Sequence, residues 1–162
     1  MEYHPVVYKI KKLLTENKFW HETFEHAPVR TSEEAAKLRT GYSINQGAKA
    51  LIVRVKITKG NKKFAMLVVP GNMRFDISKV KEFFGAKDIR FATEAEVMEI
   101  TGGVKVGGVP PFGNLFGLEV VADPKLFENE KIVFNAGDRQ FSIGMKSQDY
   151  RKIVNPKVAD IT

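Results

Sequence analysis

The chain has 162 residues and 18.2 kDa, with 43% hydrophobic and 28% charged side chains, enough for one domain with a substantial core and unlike a disordered or fibrous chain. Its 26 basic and 19 acidic residues leave a charge of +7, which suits a polyanionic partner but equally serves plain solubility. The lack of cysteine excludes disulfides, thiolate metal sites and a cysteine nucleophile, and three histidines, His4, His21 and His26, argue against a multi-histidine metal site.

Pro5 followed by Val6, Val7, Ile10, Leu13 and Leu14 at helical spacing predicts a first helix over about residues 5 to 17. His21 to His26 alternates in type before Pro28 and reads as a strand. Thr31-Ser32-Glu33-Glu34 is a capping-box start for a second helix, with Thr31 as cap and Glu34 placed to return a bond. Ala50 to Ile57 and Phe64 to Val69 are β-rich runs joined by Lys59-Gly60-Asn61-Lys62, the pattern of a hairpin. Helices are expected from Asp76 to Phe84, ended by Gly85, and from the capping box at Thr93-Glu94-Ala95-Glu96 to Gly102. Then come a strand at Leu118 to Val121, a helical turn at Asp123-Pro124, a second hairpin from Lys131 to Asn135 and Gln140 to Met145, and a helix over Ser147 to Val154. Strands arriving in pairs between short helices predict a mixed α/β (α+β) domain, largely antiparallel, spanning residues 1 to 162 without a linker. The longest apolar run, near Ala65 to Val69, is far below the roughly 20 residues that cross a bilayer, and the first residues lack a signal-peptide core, so a cytoplasmic protein without a membrane partner is expected.

The segment Gly102 to Asn114, GGVKVGGVPPFGN, holds five of the 13 glycines and two of the 7 prolines. Paired glycines let another molecule approach the backbone, and consecutive prolines stiffen the residues after them, so such a loop can present amides in a fixed arrangement, as an anion site or oxyanion hole requires. Composition alone favours the plainer reading, a stiff turn between helix and strand. It is no nucleotide P-loop, because Gly-Lys-Ser/Thr does not come after the glycines. Lys49 stands at the mouth of an apolar strand, either as its solvated end or as a cation placed to meet a carbonyl or phosphate. His26 lacks an evident orienting partner for a general base, and no Gly-x-Ser-x-Gly elbow marks a serine hydrolase.

Taken in order, Thr-Phe-Glu-His (23 to 26), Thr-Ser-Glu-Glu-Ala-Ala (31 to 36), Gln-Gly-Ala-Lys-Ala-Leu-Ile-Val (46 to 53), Val-Val-Pro-Gly-Asn (68 to 72), Thr-Gly-Gly (101 to 103) and Gly-Gly-Val-Pro-Pro-Phe-Gly (107 to 113) resemble the YbaK/EbsC family, also called the YbaK/prolyl-tRNA synthetase associated domain. The resemblance covers roughly residues 3 to 155. It implies a freestanding editing domain with a barrel-like mixed sheet surrounded by short helices, hydrolysing the ester of mischarged tRNA in trans, with alanyl or cysteinyl esters on a proline tRNA as the family's commonest theme. Carried over by position, Lys49 matches the functional lysine, and Gly107 and Gly108 open the Gly-x-x-x-Pro loop that holds the substrate's carbonyl region and runs through Val109 to Pro111. Phe24, His26, Thr31, Asn72 and Ser142 match pocket positions. Val109-Pro110 departs from the smaller or polar pair, such as Cys-Ser, that members often carry, which leaves the edited amino acid open.

The family's chemistry rests on positioning, backbone amides and exclusion of the wrong amino acid, with water or a ribose hydroxyl attacking. It implies no cofactor and no metal, tRNA as partner, no DNA, and an aminoacyl-tRNA synthetase as a further candidate partner. Two other readings stand beside it: a binding module that grips tRNA or a synthetase without turnover, and a small-molecule ester or amide hydrolase.

Overall fold

The structure is a computed structural model that describes residues 2–28 and 31–162. In chain order these form α1 (Pro5–Glu16), β1 (His21–Glu25), α2 (Ser32–Leu38), β2 (Ala48–Thr58), β3 (Asn61–Pro70), α3 (Ile77–Phe84), β4 (Asp88–Phe91), α4 (Glu94–Thr101), β5 (Glu119–Ala122), β6 (Lys131–Asp138), β7 (Phe141–Lys146), α5 (Ser147–Val154) and β8 (Lys157–Val158). Short 3-10 turns lie at Ile44–Gln46, Gly113–Phe116 and Pro124–Glu128.

The helix ends follow local chemistry. Thr31 Oγ1 accepts from Glu34 N at 3.1 Å and starts α2. At α4 the box is reciprocal: Thr93 Oγ1 accepts from Glu96 N at 3.1 Å, and the Glu96 carboxylate accepts from Thr93 N at 2.8 Å. His4 caps α1 through Nδ1, which accepts from Val6 N at 3.1 Å. That leaves Nε2 as the donor to Gly102 O at 2.9 Å, so the ring ties the start of α1 to the end of α4.

The strands divide into two sheets. One is antiparallel, in the order β1-β7-β6, and the other runs β4-β2-β3-β5-β8, antiparallel through β4, β2 and β3 and parallel from β3 to β8. A parallel bridge between Gly47 and Val133 stitches them together, so among the described residues the barrel-like arrangement is two linked sheets rather than one closed barrel. The central strand β3 is buried on both faces. Met66 and Val68 face the core shared with α1, Phe112, Phe134, Ile143 and Tyr150, whereas Ala65, Leu67 and Val69 face a second core with Val53, Val80 and Ile161. This period of two explains why an unbroken apolar run forms a strand here.

Two pairings extend what the sequence pattern predicts: β4 on β2 through Val53 to Lys56, and the two-residue β8 on β5. The last is anchored by buried Asp123, whose Oδ2 accepts from Ile161 N at 3.0 Å, Thr162 N at 3.2 Å and Thr162 Oγ1 at 3.0 Å. None of the described helices is long and apolar enough to cross a membrane.

Candidate functional site

A cleft of about 210 Å³ opens where the two sheets meet. One wall is α2 and its end, with Ser32, Ala35, Ala36 and Arg39 on one helical face at positions i, i+3, i+4 and i+7. The second wall is the entry to β2, from Gly47 to Leu51, and the third is the loop residues Val106, Gly107 and Val109. Val133, Phe134 and Asn135 of β6 complete it. Gly71 also lines the cleft and admits no side chain, because an added Cβ would lie 2.6 Å from Ile44 O.

Lys49 is half-buried in this cleft and its Nζ donates to Met73 O at 2.8 Å. Burial first, and the nearby Arg74 second, push its ammonium below the ordinary lysine range, against a smaller opposing pull from Glu33. Facing it, Gly107 adopts φ +92°, a backbone that other residues rarely adopt. The Gly108 amide is committed to Lys105 O at 2.9 Å, and Gly108 borders a separate cleft with His4, Asp138 and Arg139. Among the described residues, the Gly107 and Val109 amides donate to no acceptor. Pro111 is buried behind the loop, where its carbonyl accepts from the Tyr150 hydroxyl at 2.6 Å. Gly102 and Gly103 belong to the end of α4.

Behind the cleft lies a polar chain. His26 Nδ1 donates to Ala27 O at 2.8 Å, and its Nε2 lies 2.8 Å from Ser142 Oγ. Ser142 Oγ accepts from Arg39 Nε at 3.0 Å and lies 3.1 Å from Asn135 Oδ1, its one proton serving either that oxygen or His26 Nε2. Arg39 Nη2 donates to the same Asn135 oxygen at 2.8 Å, and Asn135 Nδ2 donates to Gly107 O at 2.6 Å. Burial lowers the Arg39 guanidinium to about 10, still charged at neutral pH. Ser142 and His26 have the spacing of a nucleophile and base, but Ser142 is 0% exposed, is not among the cleft-lining residues and is held by the Arg39 donor. A substrate carbon in the cleft cannot reach it without displacing that network.

The expected site residues therefore fall into two groups. Lys49, Gly107, Val109 and Thr31 line one cleft. His26 and Ser142 stand one layer behind it, Phe24 packs edge-on against Tyr42 with centroids 5.9 Å apart, and Asn72 is exposed in the turn after Gly71. Arg39 and Asn135 were not among the expected residues. A signal existed for Asn135, a polar break in the apolar strand Ile132-Val133-Phe134 before Ala136-Gly137. The small-residue stripe Ser32, Ala35, Ala36 pointed less clearly to Arg39. No group of three or more His, Asp or Glu among the described residues is arranged to hold a metal ion.

A sequence model of the family described as the aminoacyl-tRNA editing domain matches residues 26–153. The chain is 35% identical over 136 residues to the multifunctional Ser/Thr-tRNA deacylase ProXp-y of Escherichia coli (strain K12), covering 83% of this chain and 80% of that one. It is 25% identical over 147 residues to a proline tRNA ligase of Ralstonia pickettii (strain 12J), covering 86% of this chain but only 24% of the ligase. Its fold matches a crystal structure described as a candidate trans-editing enzyme for prolyl tRNA synthetase, with a TM-score of 0.82 at 24% identity over 99% of both chains.

Proposed function

The chain belongs to the aminoacyl-tRNA editing domain family, and on that premise we propose that it hydrolyses the ester bond of mischarged tRNA in trans, in the cytoplasm. The observation that carries this reading is that Lys49 and the unpartnered amides of Gly107 and Val109 belong to one cleft, with no nucleophile bonded to a general base in its lining among the described residues. Such a site supplies position and charge stabilisation. Lys49 offers a cation to the terminal nucleotide or the ester, the amides offer donors to an oxygen that becomes negative, and water or a substrate hydroxyl attacks. The +7 charge suits the phosphates of an acceptor stem. A proline tRNA synthetase is the candidate partner, since the R. pickettii ligase contains a similar stretch.

For the amino acid, the family resemblance favours alanine or cysteine, and the name of the E. coli relative adds serine and threonine. Ser32 and Ser43 in the lining favour an ester with a side-chain hydroxyl. Polar recognition of that kind discriminates more sharply than the 1 to 3 kcal/mol or so that a methylene provides. The test is a panel of alanyl, cysteinyl, seryl and threonyl tRNAs with wild type and Lys49→Ala. Release of amino acid by wild type, with loss of turnover but retained tRNA binding in the variant, is expected. Salt-sensitive tRNA binding without turnover in either form would instead make the chain a binding module.

A further inference from the structure

Arg39 is a buried guanidinium that the chemistry above leaves unused. It is 6% exposed, yet it takes part in none of the ion pairs among the described residues. A buried charge without a carboxylate is costly to keep, and an apolar replacement is often neutral or stabilising. Its bonds show what it does locally. Guanidinium is donor-only, so Arg39 Nη2 obliges Asn135 to present Oδ1 toward it, at 2.8 Å. The amide of Asn135 is thereby turned the other way, and its Nδ2 meets Gly107 O at 2.6 Å.

The Gly107–Gly108 peptide is thus held from both sides, its oxygen by Asn135 and its nitrogen by Lys105 O at 2.9 Å. That restraint matters because two adjacent glycines oppose a peptide flip with no side-chain sterics of their own. A flipped peptide would carry the Gly107 carbonyl out of its present place and change the backbone on both sides of it, including the amides of Gly107 and Val109. We propose that Arg39 is the positioning residue of this cleft: acting through Asn135, it locks the Gly107–Gly108 peptide and so fixes the loop amides for the substrate. The kinetic part of this inference rests on the deacylase reading, whereas the structural part does not.

The experiment is a double-mutant cycle with Arg39→Met, Asn135→Ala and the double variant, each first checked by thermal melting. Arg39→Met keeps an unbranched apolar stem and loses the donors and the charge, and Arg39→Lys restores the charge alone. On the best tRNA of the panel, each single variant lowers kcat about 100-fold with KM nearly unchanged. The double variant falls no further than either single one, because both act on one peptide. Arg39→Lys does not rescue, since an ammonium lacks the rigid fork that reaches Ser142 and Asn135 together. Multiplicative losses in the double variant, or full activity in Arg39→Lys, would overturn the proposal. Spectra of protein labelled with 15N-glycine give a readout independent of turnover: the Gly107 and Gly108 amide signals shift alike in Arg39→Met and Asn135→Ala. If wild type deacylates nothing, the deacylase reading fails and the glycine spectra alone decide. Unmoved Gly107 and Gly108 signals in folded Arg39→Met refute the lock. Should that variant not fold, the same spectra of Arg39→Lys carry the decision, with unmoved signals again refuting it.

Discussion

Replacing Tyr150 by Phe removes one oxygen from behind the glycine loop. Tyr150 is fully buried, and burial holds its phenol far above the ordinary range, so it remains a donor at any working pH. The hydroxyl donates to Pro111 O at 2.6 Å, and among the described residues no other donor reaches that carbonyl. Phe keeps the ring and its packing on Phe112, 5.7 Å away between centroids, and on Phe127 at 6.4 Å, so only a hydroxyl-sized gap is left. The loss is therefore chiefly that of a buried carbonyl left unsatisfied, about 1 to 3 kcal/mol. For a chain of this size each kcal/mol lowers Tm by about 2 to 4 °C, which places the fall between about 2 and 12 °C. Urea unfolding followed by the fluorescence of Trp20 gives the free energy directly, with the midpoint lowered and the slope unchanged. A midpoint equal to that of wild type at an unchanged slope would refute the assignment of this hydrogen bond as an anchor of the loop.

Gly137→Ala is expected to destabilise by about 1 to 3 kcal/mol, because Gly137 sits at φ +123° in the irregular part of β6 and an added Cβ collides with Val6 of α1; thermal melts measure it. Lys49→Met removes turnover while leaving Tm unchanged or raised, since burial disfavours the ammonium that the site retains, and melting beside a deacylation assay reads both. Glu96 is held at about 2, first by its hydrogen bond from Arg90 and then by the Thr93 amide. Its folded value lies below its unfolded one, so its contribution is complete above the ordinary carboxylate range and is lost as pH falls through about 2. Stability curves of wild type and Glu96→Gln should accordingly run parallel at neutral pH and converge in acid, and a gap that is constant down to the lowest pH would contradict the pairing.

Much of the fold was legible because its signals are local. The Thr93 to Glu96 box, Gly85 and Gly102 as stops, and the Lys59-Gly60 turn each depend on a few neighbouring residues, and each stands where the pattern places it. Lys49 and the Gly107 loop were legible through an ordered set of motifs, and they do line one cleft. The remainder needed contacts between distant parts of the chain. β4 and β8 are too short to carry a period, and their pairing depends on an edge offered by β2 and β5.

Tertiary structure alone also decided which polar residues stand behind the loop amides, whereas the Gly108 amide is taken locally, by Lys105 three residues earlier in the chain. Arg39 carries no local signal in the sequence, and it becomes a buried donor because β6 and β7 bring Asn135 and Ser142 against it across 96 and 103 residues of sequence. Helix caps and turns are decided within a few residues of chain, where the backbone's own geometry sets the partners. A network of single hydrogen bonds between separate strands has no period and no spacing, so only the folded arrangement of the two sheets determines it.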